Sequence, residues 1–160
     1  MKILVIDGQG GQLGGQIIKS LKSNFSEADI TAVGTNATAT ATMLKAGAYR
    51  GATGENPVVV ACRKADVIIG VSAGALFGIN YKSRQKGRAL RSNLKYVNDK
   101  RYMSFYNLLT TGNIVNEDFC FNEIPNILDD FNYASFKRSK GDFYATVTNV
   151  KTGEAEYIKI

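Results

Sequence analysis

The chain contains no histidine, and this absence restricts its chemistry more than any other feature of the 160 residues. A Ser-His-Asp triad and a Cys-His pair both need an imidazole as general base, so neither can be built here. The zinc and iron sites that use histidine ligands, which are most such sites, are excluded for the same reason. A serine enzyme made from this chain must therefore use a carboxylate or a lysine as its base.

Cysteine is scarce, and long apolar runs are absent. The two cysteines, Cys62 and Cys120, are too few for a disulfide framework, and we expect both to be buried apolar fillers rather than reactive thiols. No apolar run approaches the length of a membrane span, and the N-terminal segment KILVI is too short for a signal-peptide core. These features predict a cytoplasmic protein with no metal and no cofactor.

Aromatic residues are almost missing from the first half of the chain. Only Phe25 and Tyr49 precede residue 77, and this half is rich in Gly, Ala, Val and Thr. The charge also changes, because the segment Lys82–Arg101 carries eight basic residues against Asp99 alone. Such a segment is either the solvated face of a helix or a peripheral contact with an anionic membrane. It has too few aromatic residues to indicate nucleic-acid binding.

The first half has the pattern of βαβ units. Apolar strands are predicted at residues 3–6, 30–33 and 67–69, and a glycine-rich turn and an amphipathic helix follow the first strand. A helix is predicted around residues 40–46. A further helix is predicted after residue 55, with Asn56 as its N-cap and Pro57 in its first position. Right-handed crossovers place the three strands in the order two, one, three.

The sequence of the second half predicts further helices followed by a β-hairpin. A helix is expected from Ala75 into the basic segment, with further helices near 101–109 and 133–138 and a β-hairpin over 142–160. The resulting fold class is α/β: a short parallel Rossmann-like or patatin-like sheet with helices on both faces and a C-terminal β-hairpin. Residues 1–70 and 71–160 are predicted to be two halves that share one core.

The segment Gly70-Val71-Ser72-Ala73-Gly74 follows a buried strand and precedes an apolar helix start. This is the pattern G-x-S-x-G of a nucleophile elbow, in which a sharp strand-to-helix turn exposes the serine hydroxyl. Gly70 and Gly74 are needed because the turn brings strand and helix close together. A chance match of five residues is the alternative.

The turn after the first strand contains Gly8, Gly11 and Gly14. The N–H groups of Gly8, Gly10 and Gly11 are candidates to bind a phosphate or to stabilise an oxyanion. Alternatively, the glycines serve only the tight turn. A dinucleotide is disfavoured because the second strand ends without the acidic residue that binds the ribose.

From about residue 70 onwards the chain resembles bacterial patatin-like phospholipases. The resemblance rests on the segments GVSAGALFGINYKSRQKGRALR, DKRYMSFYNLLTTGNIVNEDFCFNEIPN and DFYATVTNVKTGEAEYIKI. It implies an α/β acyl hydrolase of lipid metabolism with a Ser-Asp dyad, in which Ser72 is the nucleophile. The family's catalytic aspartate lies in a D-G-G or D-G-A motif downstream of the hairpin, which this chain does not contain, so the resemblance implies a truncated copy of weak or no activity.

The first seventy residues instead resemble a small bacterial family with a domain of unknown function. This second resemblance rests on MKILVIDGQGGQLGGQII, AVGTNATATATMLKAGA and GATGENPVVVACRKADVIIG. Together the two resemblances suggest a chimera whose join lies in the elbow. The patatin-like oxyanion loop G-G-G-x-R-G is replaced here by the turn from Gly8 to Leu13. Asp7, at the end of the first strand, is the one carboxylate expected at the carboxyl edge of the sheet near Ser72.

We therefore expect a patatin-like module that hydrolyses lipid or carboxylic esters at Ser72. One alternative is a non-enzymatic module that binds a phosphate or nucleotide at the glycine turn. Another is a recombinant fold with no selected function. An unpaired sheet edge near the C-terminus also predicts a homo-oligomer.

Overall fold

Apolar runs without polar alternation form the central strands, as is typical of strands buried on both faces. The computed structural model describes residues 1–160, and its strands are β1 (Lys2–Asp7), β2 (Asp29–Gly34), β3 (Arg50–Thr53), β4 (Val67–Val71), β5 (Asp142–Thr148) and β6 (Ala155–Lys159). Their order in the sheet is β3-β2-β1-β4-β5-β6. All neighbouring pairs are parallel except β5 and β6, which form the C-terminal antiparallel hairpin. The predicted fold class is confirmed.

Helices connect the parallel strands and cover both faces of the sheet. They are α1 (Gln12–Asn24), α2 (Ala37–Lys45), α3 (Glu55–Cys62), α4 (Ala73–Lys82), α5 (Arg88–Tyr96), α6 (Phe105–Thr111) and α7 (Tyr133–Arg138), with a π-helical segment at Phe119–Leu128. None of these helices has the length and apolar character needed to cross a bilayer.

The core has one layer on each side of the sheet. On one face, β1, β2 and β4 pack against α1 and α2, with Ile17, Ile18, Ala39 and Met43 as the buried helical residues. On the other face, β1, β2, β4 and β5 pack against α3, α4 and α7, with Val58, Cys62, Tyr81 and Phe136 as the buried helical residues. The alternation of side chains along each strand sends neighbouring residues to opposite layers.

The sheet is continuous across residue 70. Strand β5 pairs with β4 in parallel, from Val67 opposite Asp142 to Val71 opposite Thr146. The Phe143 side chain is fully buried, and a Cβ added to Gly78 of α4 would lie 2.8 Å from its ring. Residues from both sequence halves therefore contribute to the same packing layer.

The structure differs from three local expectations. Strand β3 was not predicted, because four residues with the sequence RGAT at a sheet edge give no apolar run. Helix α3 begins at Glu55 with Gly54 as its N-cap, so Pro57 occupies the third helical position rather than the first. Proline is tolerated there because an N–H in the first turn of a helix would have no intrahelical acceptor in any case. The helix expected from Ala75 onwards is interrupted, because Arg84 and Gly87 both adopt positive φ angles between α4 and α5.

Candidate active site at the carboxyl edge of the sheet

The ends of β1 and β4 lie next to each other at the centre of the sheet. Asp7 is opposite Val71 in the β1–β4 register, so the glycine turn and the elbow both begin at the same edge. The chain then turns in opposite directions, with α1 on one face and α4 on the other. Such a point, where the strand order reverses, is where open α/β sheets bind ligands.

Ser72 has the backbone conformation of a nucleophile elbow. Its φ is 53° and its ψ is −126°, a combination that costs a non-glycine residue about 1–3 kcal/mol. The two flanking glycines are required by close approaches of backbone. A Cβ on Gly70 would lie 2.5 Å from the Cα of Ala75, and one on Gly74 would lie 2.2 Å from the carbonyl oxygen of Ile6. The structure therefore builds the sharp strand-to-helix turn that the motif predicts.

The Ser72 side chain is exposed, and its hydroxyl makes no hydrogen bond within the protein. Its backbone N–H likewise has no acceptor. The residue stands at the N-terminus of α4, where the helix dipole favours a negative charge. The geometry thus presents a free hydroxyl beside backbone donors, but it places no carboxylate or lysine in hydrogen-bond contact with that hydroxyl.

The glycine turn lies directly against the elbow. A Cβ on Gly8 would lie 2.5 Å from the Cβ of Ala73, the first residue of α4. The N–H groups of Gly8 and Gly10 have no acceptor within the protein, and Gly10 faces open space. The N–H of Gly11 instead donates to the carbonyl oxygen of Gln9 at 2.8 Å. Two of the three predicted donors are therefore free, whereas the N–H of Gly11 is used inside the turn.

Gly11 has a second structural task. It adopts a φ of 73° as the N-cap of α1, and a Cβ there would lie 2.4 Å from the carbonyl oxygen of Ala39 in α2. Glycine at this position lets the turn pack against α2, which supports a structural role for Gly11.

Asp7 is buried and holds the turn together. One of its carboxylate oxygens accepts a hydrogen bond from the Gln9 N–H and the other from the Gly14 N–H, both at 2.9 Å. It makes no hydrogen bond to Ser72, so the geometry gives no support to Asp7 as a base in place of the missing aspartate. Both oxygens are engaged because the turn folds its N–H groups back onto the end of β1.

Thr35 is a residue of this edge that the sequence analysis missed. Its hydroxyl donates to the carbonyl oxygen of Gly8 at 2.5 Å, and its N–H donates to the carbonyl oxygen of Asp7 at 3.1 Å. These bonds tie the end of β2 to the glycine turn. The available signal was its position, since it is the first residue after the neighbouring parallel strand.

The cysteines offer no competing nucleophile. Cys62 is buried in α3, and burial raises the pKa of its thiol to about 12. Cys120 is half-buried, and burial also raises the pKa of its thiol. A thiol with a raised pKa stays protonated at neutral pH and reacts slowly. The expected filler role fits Cys62, while Cys120 is less buried than expected.

The basic segment is less uniform than its sequence indicates. Lys82 and Arg88 are buried: the Lys82 ammonium donates to the carbonyl oxygen of Phe136, and the Arg88 guanidinium donates to that of Asp129. Arg91 pairs with the Asp129 carboxylate at 2.8 Å. Partial burial acts to raise the pKa of Asp129, but hydrogen bonds from Arg91 and Ser92 outweigh it and hold that pKa below its ordinary value.

Arg101 is also paired. Its guanidinium contacts the Asp99 carboxylate at 2.8 Å and the Glu123 carboxylate at 3.6 Å. Four of the eight basic residues are thus buried or ion-paired, and the other four are Arg84, Lys86, Lys95 and Lys100.

Comparison with known proteins gives one family match. Residues 2–78 match the family model described as Domain of unknown function (DUF3842). This match confirms the predicted resemblance of the N-terminal part to a domain of unknown function. It also extends past the predicted join, so it includes the whole elbow and the first half of α4. No curated protein and no solved structure matches the chain.

Proposed function

We propose that the chain is a serine acyl hydrolase module of patatin-like type, with Ser72 as the nucleophile and lipid or carboxylic esters as substrates. The observation that carries the proposal is the Ser72 backbone, at φ 53° and ψ −126° between β4 and α4, with an exposed hydroxyl. An accidental sequence match would not need this costly conformation. The resemblance of the second half of the chain to patatin-like phospholipases further supports the proposed function.

In the proposed reaction the Ser72 hydroxyl oxygen attacks the carbonyl carbon of the ester, and the carbonyl oxygen becomes an oxyanion. Donors for this charge are the free N–H groups of Gly8 and Gly10, together with the N–H of Ala73, the residue after the nucleophile. Loss of one such donor typically reduces the rate by about a hundredfold to a thousandfold. Because Asp7 is occupied within the turn, solvent water has to take the hydroxyl proton, and we expect slow turnover. Collapse of the intermediate expels the alcohol, and a further water molecule hydrolyses the acyl-serine to release the acid and restore Ser72.

The test is covalent labelling with a fluorophosphonate probe, followed by peptide mass spectrometry. We expect the label on Ser72, no label in Ser72→Ala, and unchanged labelling in Ser20→Ala, which removes an exposed hydroxyl from α1. A folded wild-type protein that takes no label, or a label that persists in Ser72→Ala, would contradict the proposal.

The phosphate-binding alternative receives less support from the geometry. Free N–H groups at the start of α1 favour an anion. However, the Asp7 carboxylate already lies at this helix start and accepts from Gly14, so a bound phosphate would meet a negative charge.

The remaining proposals concern origin, location and association. The difference in composition between the two halves supports a chimeric origin, with a join no earlier than residue 78, where the family match ends. Two free cysteines support a reducing, cytoplasmic location. The outer edge of β6 pairs with no other strand, which supports self-association through that edge. Sedimentation at increasing protein concentration tests the last point, and a constant monomer mass would contradict it.

A further inference from the structure

A groove lies between α3 and the outer strands of the sheet, on the face opposite α1 and α2. The strand registers place Leu4, Thr31 and Arg50 side by side across β1, β2 and β3, and they place Val33 next to Ala52. Leu4 and Val33 belong to the core layer that packs against α3, so the side chains of both rows lie on that face. We call the space above these rows the α3 groove, and its volume is about 390 Å³.

The walls of the α3 groove are mainly apolar. Helix α3 contributes Val60, which is 55% exposed, together with Pro57 and Ala61, which are half-buried. Ala52 of β3 lines the groove from the sheet and is also half-buried. Because Val60 remains exposed, no other element of the chain fills this space. A concave apolar space of this size is typical of sites that bind small molecules.

Two lysines stand together at one end of the α3 groove. Lys2 begins β1, two residues before Leu4 and therefore on the same face, and Lys64 lies in the turn after α3; both line the groove. This turn returns to the start of β1, because the Asp66 N–H donates to the Lys2 carbonyl oxygen at 2.9 Å. The ammonium group of neither lysine takes part in an ion pair.

The two carboxylates near these lysines already have partners. Asp29 lies opposite Lys2 in the strand register; one of its oxygens accepts from the Arg50 guanidinium at 2.6 Å, and the other is buried. The Asp66 carboxylate accepts from the backbone N–H of Lys2 at 2.8 Å and is not part of the groove lining. The charged residues that line the groove are three cations and one carboxylate, so this end is positive even when Asp66 is included.

We propose that the α3 groove binds a small aliphatic monocarboxylate. The carboxylate would lie at Lys2 and Lys64, where a negative charge meets two cations without an ion-pair partner. The aliphatic body would lie along Val60 and Ala52, where it removes apolar surface from water. Charge selects this ligand class, because a cationic ligand would be repelled and a neutral one would leave both lysines without a partner.

This inference does not depend on the proposed hydrolase activity, since none of its residues belongs to the elbow or to the glycine turn. The experiment is titration of the ¹⁵N-labelled full chain with octanoate, followed by amide chemical shifts. We expect saturable shifts at Ala52, Val60 and Lys64, and none at Gly8 or Ser72. Octylammonium, which reverses the charge, and acetate, which lacks the aliphatic body, should each bind at least about tenfold more weakly.

Substitutions test the two parts of the α3 groove separately. Lys64→Glu should reduce the affinity for octanoate by about tenfold, because it replaces an attracting charge by a repelling one. Lys19→Glu makes the same change at an exposed residue of α1, on the other face of the sheet, and should change the affinity by less than about twofold. Ala52→Leu occupies part of the groove and should also weaken binding, whereas Ala41→Leu, at an exposed position of α2, should not.

Three outcomes would overturn the proposal: no saturable shifts in Ala52 and Val60 with octanoate, equal affinity for octanoate and octylammonium, or an equal loss of affinity in Lys64→Glu and Lys19→Glu. Ser72→Ala should bind octanoate as the wild type does. A failure of octanoate binding can therefore be separated from a failure of fluorophosphonate labelling. The amide spectrum of each variant verifies that the fold is retained.

Discussion

At the scale of the residue, the proposed nucleophile carries a conformational cost that glycine would not have. Ser72 has a φ of 53° and a ψ of −126°, while glycine reaches such angles readily. We predict that Ser72→Gly raises the free energy of unfolding by about 1 kcal/mol, because the relief of strain exceeds the added entropy of the unfolded chain. Urea denaturation followed by circular dichroism measures the difference.

Ser72→Ala is the matched control for this prediction. Alanine removes the same hydroxyl but keeps the Cβ that causes the strain, so its stability should stay within about 0.5 kcal/mol of the wild type. If Ser72→Gly were no more stable than Ser72→Ala, the backbone of residue 72 would not be strained, and the argument from the elbow would lose its basis.

The sequence predicts the local conformation of single residues when their spacing alone defines a turn, and it fails when the arrangement depends on hydrogen bonds. Ser72 and its two glycines were found from the spacing of five residues. The use of the Gly11 N–H inside the turn was not predictable, because it depends on the positive φ angles of Gly10 and Gly11. Asp7 was placed at the correct edge, but its two bonds to the turn were not foreseen.

At the scale of the element, the packing of α4 against β1 depends on Gly74. A Cβ at this position would lie 2.2 Å from the carbonyl oxygen of Ile6, and a backbone atom in the centre of a sheet cannot move aside. We predict that Gly74→Ala lowers the free energy of unfolding by about 3 kcal/mol, since α4 has to shift away from the sheet. The shift would also move Ser72, so fluorophosphonate labelling should fall together with stability.

Gly15→Ala makes the same substitution inside α1. There the atom nearest to the added Cβ would be the Cβ of Ala46, at 3.4 Å, and alanine is the better helix former. We expect this variant to be as stable as the wild type or more stable, with unchanged labelling. Equal destabilisation by the two substitutions would refute the specific role of Gly74 in the elbow.

Long or strongly patterned elements were predictable, and short or irregular ones were not. The apolar run of β1, the helix at Tyr133–Arg138 and the terminal hairpin were all found from pattern. Strand β3 was missed because it is held by pairing with β2 rather than by its own composition. The π-helical segment Phe119–Leu128 was missed because its wide turns and internal Pro125 follow neither the helical nor the strand period.

At the scale of the whole molecule, the change in composition near residue 70 does not coincide with a boundary in the structure. Strand β4 ends at Val71 and pairs with β1 on one side and β5 on the other, so it belongs to both halves of the sequence. Composition reveals such a change because it is a property of the chain alone. It cannot reveal which strands pair, because pairing depends on the buried surface that each half offers the other.

This arrangement predicts that the two sequence halves unfold as one unit. Phe143 of β5 is fully buried and packs against Phe136, with ring centroids 6.1 Å apart, and beneath α4 at Gly78. Phe143→Ala should lower the free energy of unfolding by about 3–5 kcal/mol through the cavity that it leaves. Because the sheet is continuous, amide hydrogen exchange should become faster in β1 and β2, within the first half, as well as in β5. The decrease in the free energy of opening should be the same in all three strands.

Phe121→Ala controls for the loss of an aromatic side chain, since Phe121 is exposed on the π-helical segment, and its effect on exchange in β1 should be within about 0.5 kcal/mol. If Phe143→Ala increased exchange only in β5 and β6, the hairpin would open by itself while β1 to β4 stayed folded. The elbow would then be a property of the first half alone. If exchange rises throughout, the strained turn at Ser72 is held by packing from both halves, and the stability of the proposed site depends on residues that are more than seventy positions apart in the sequence.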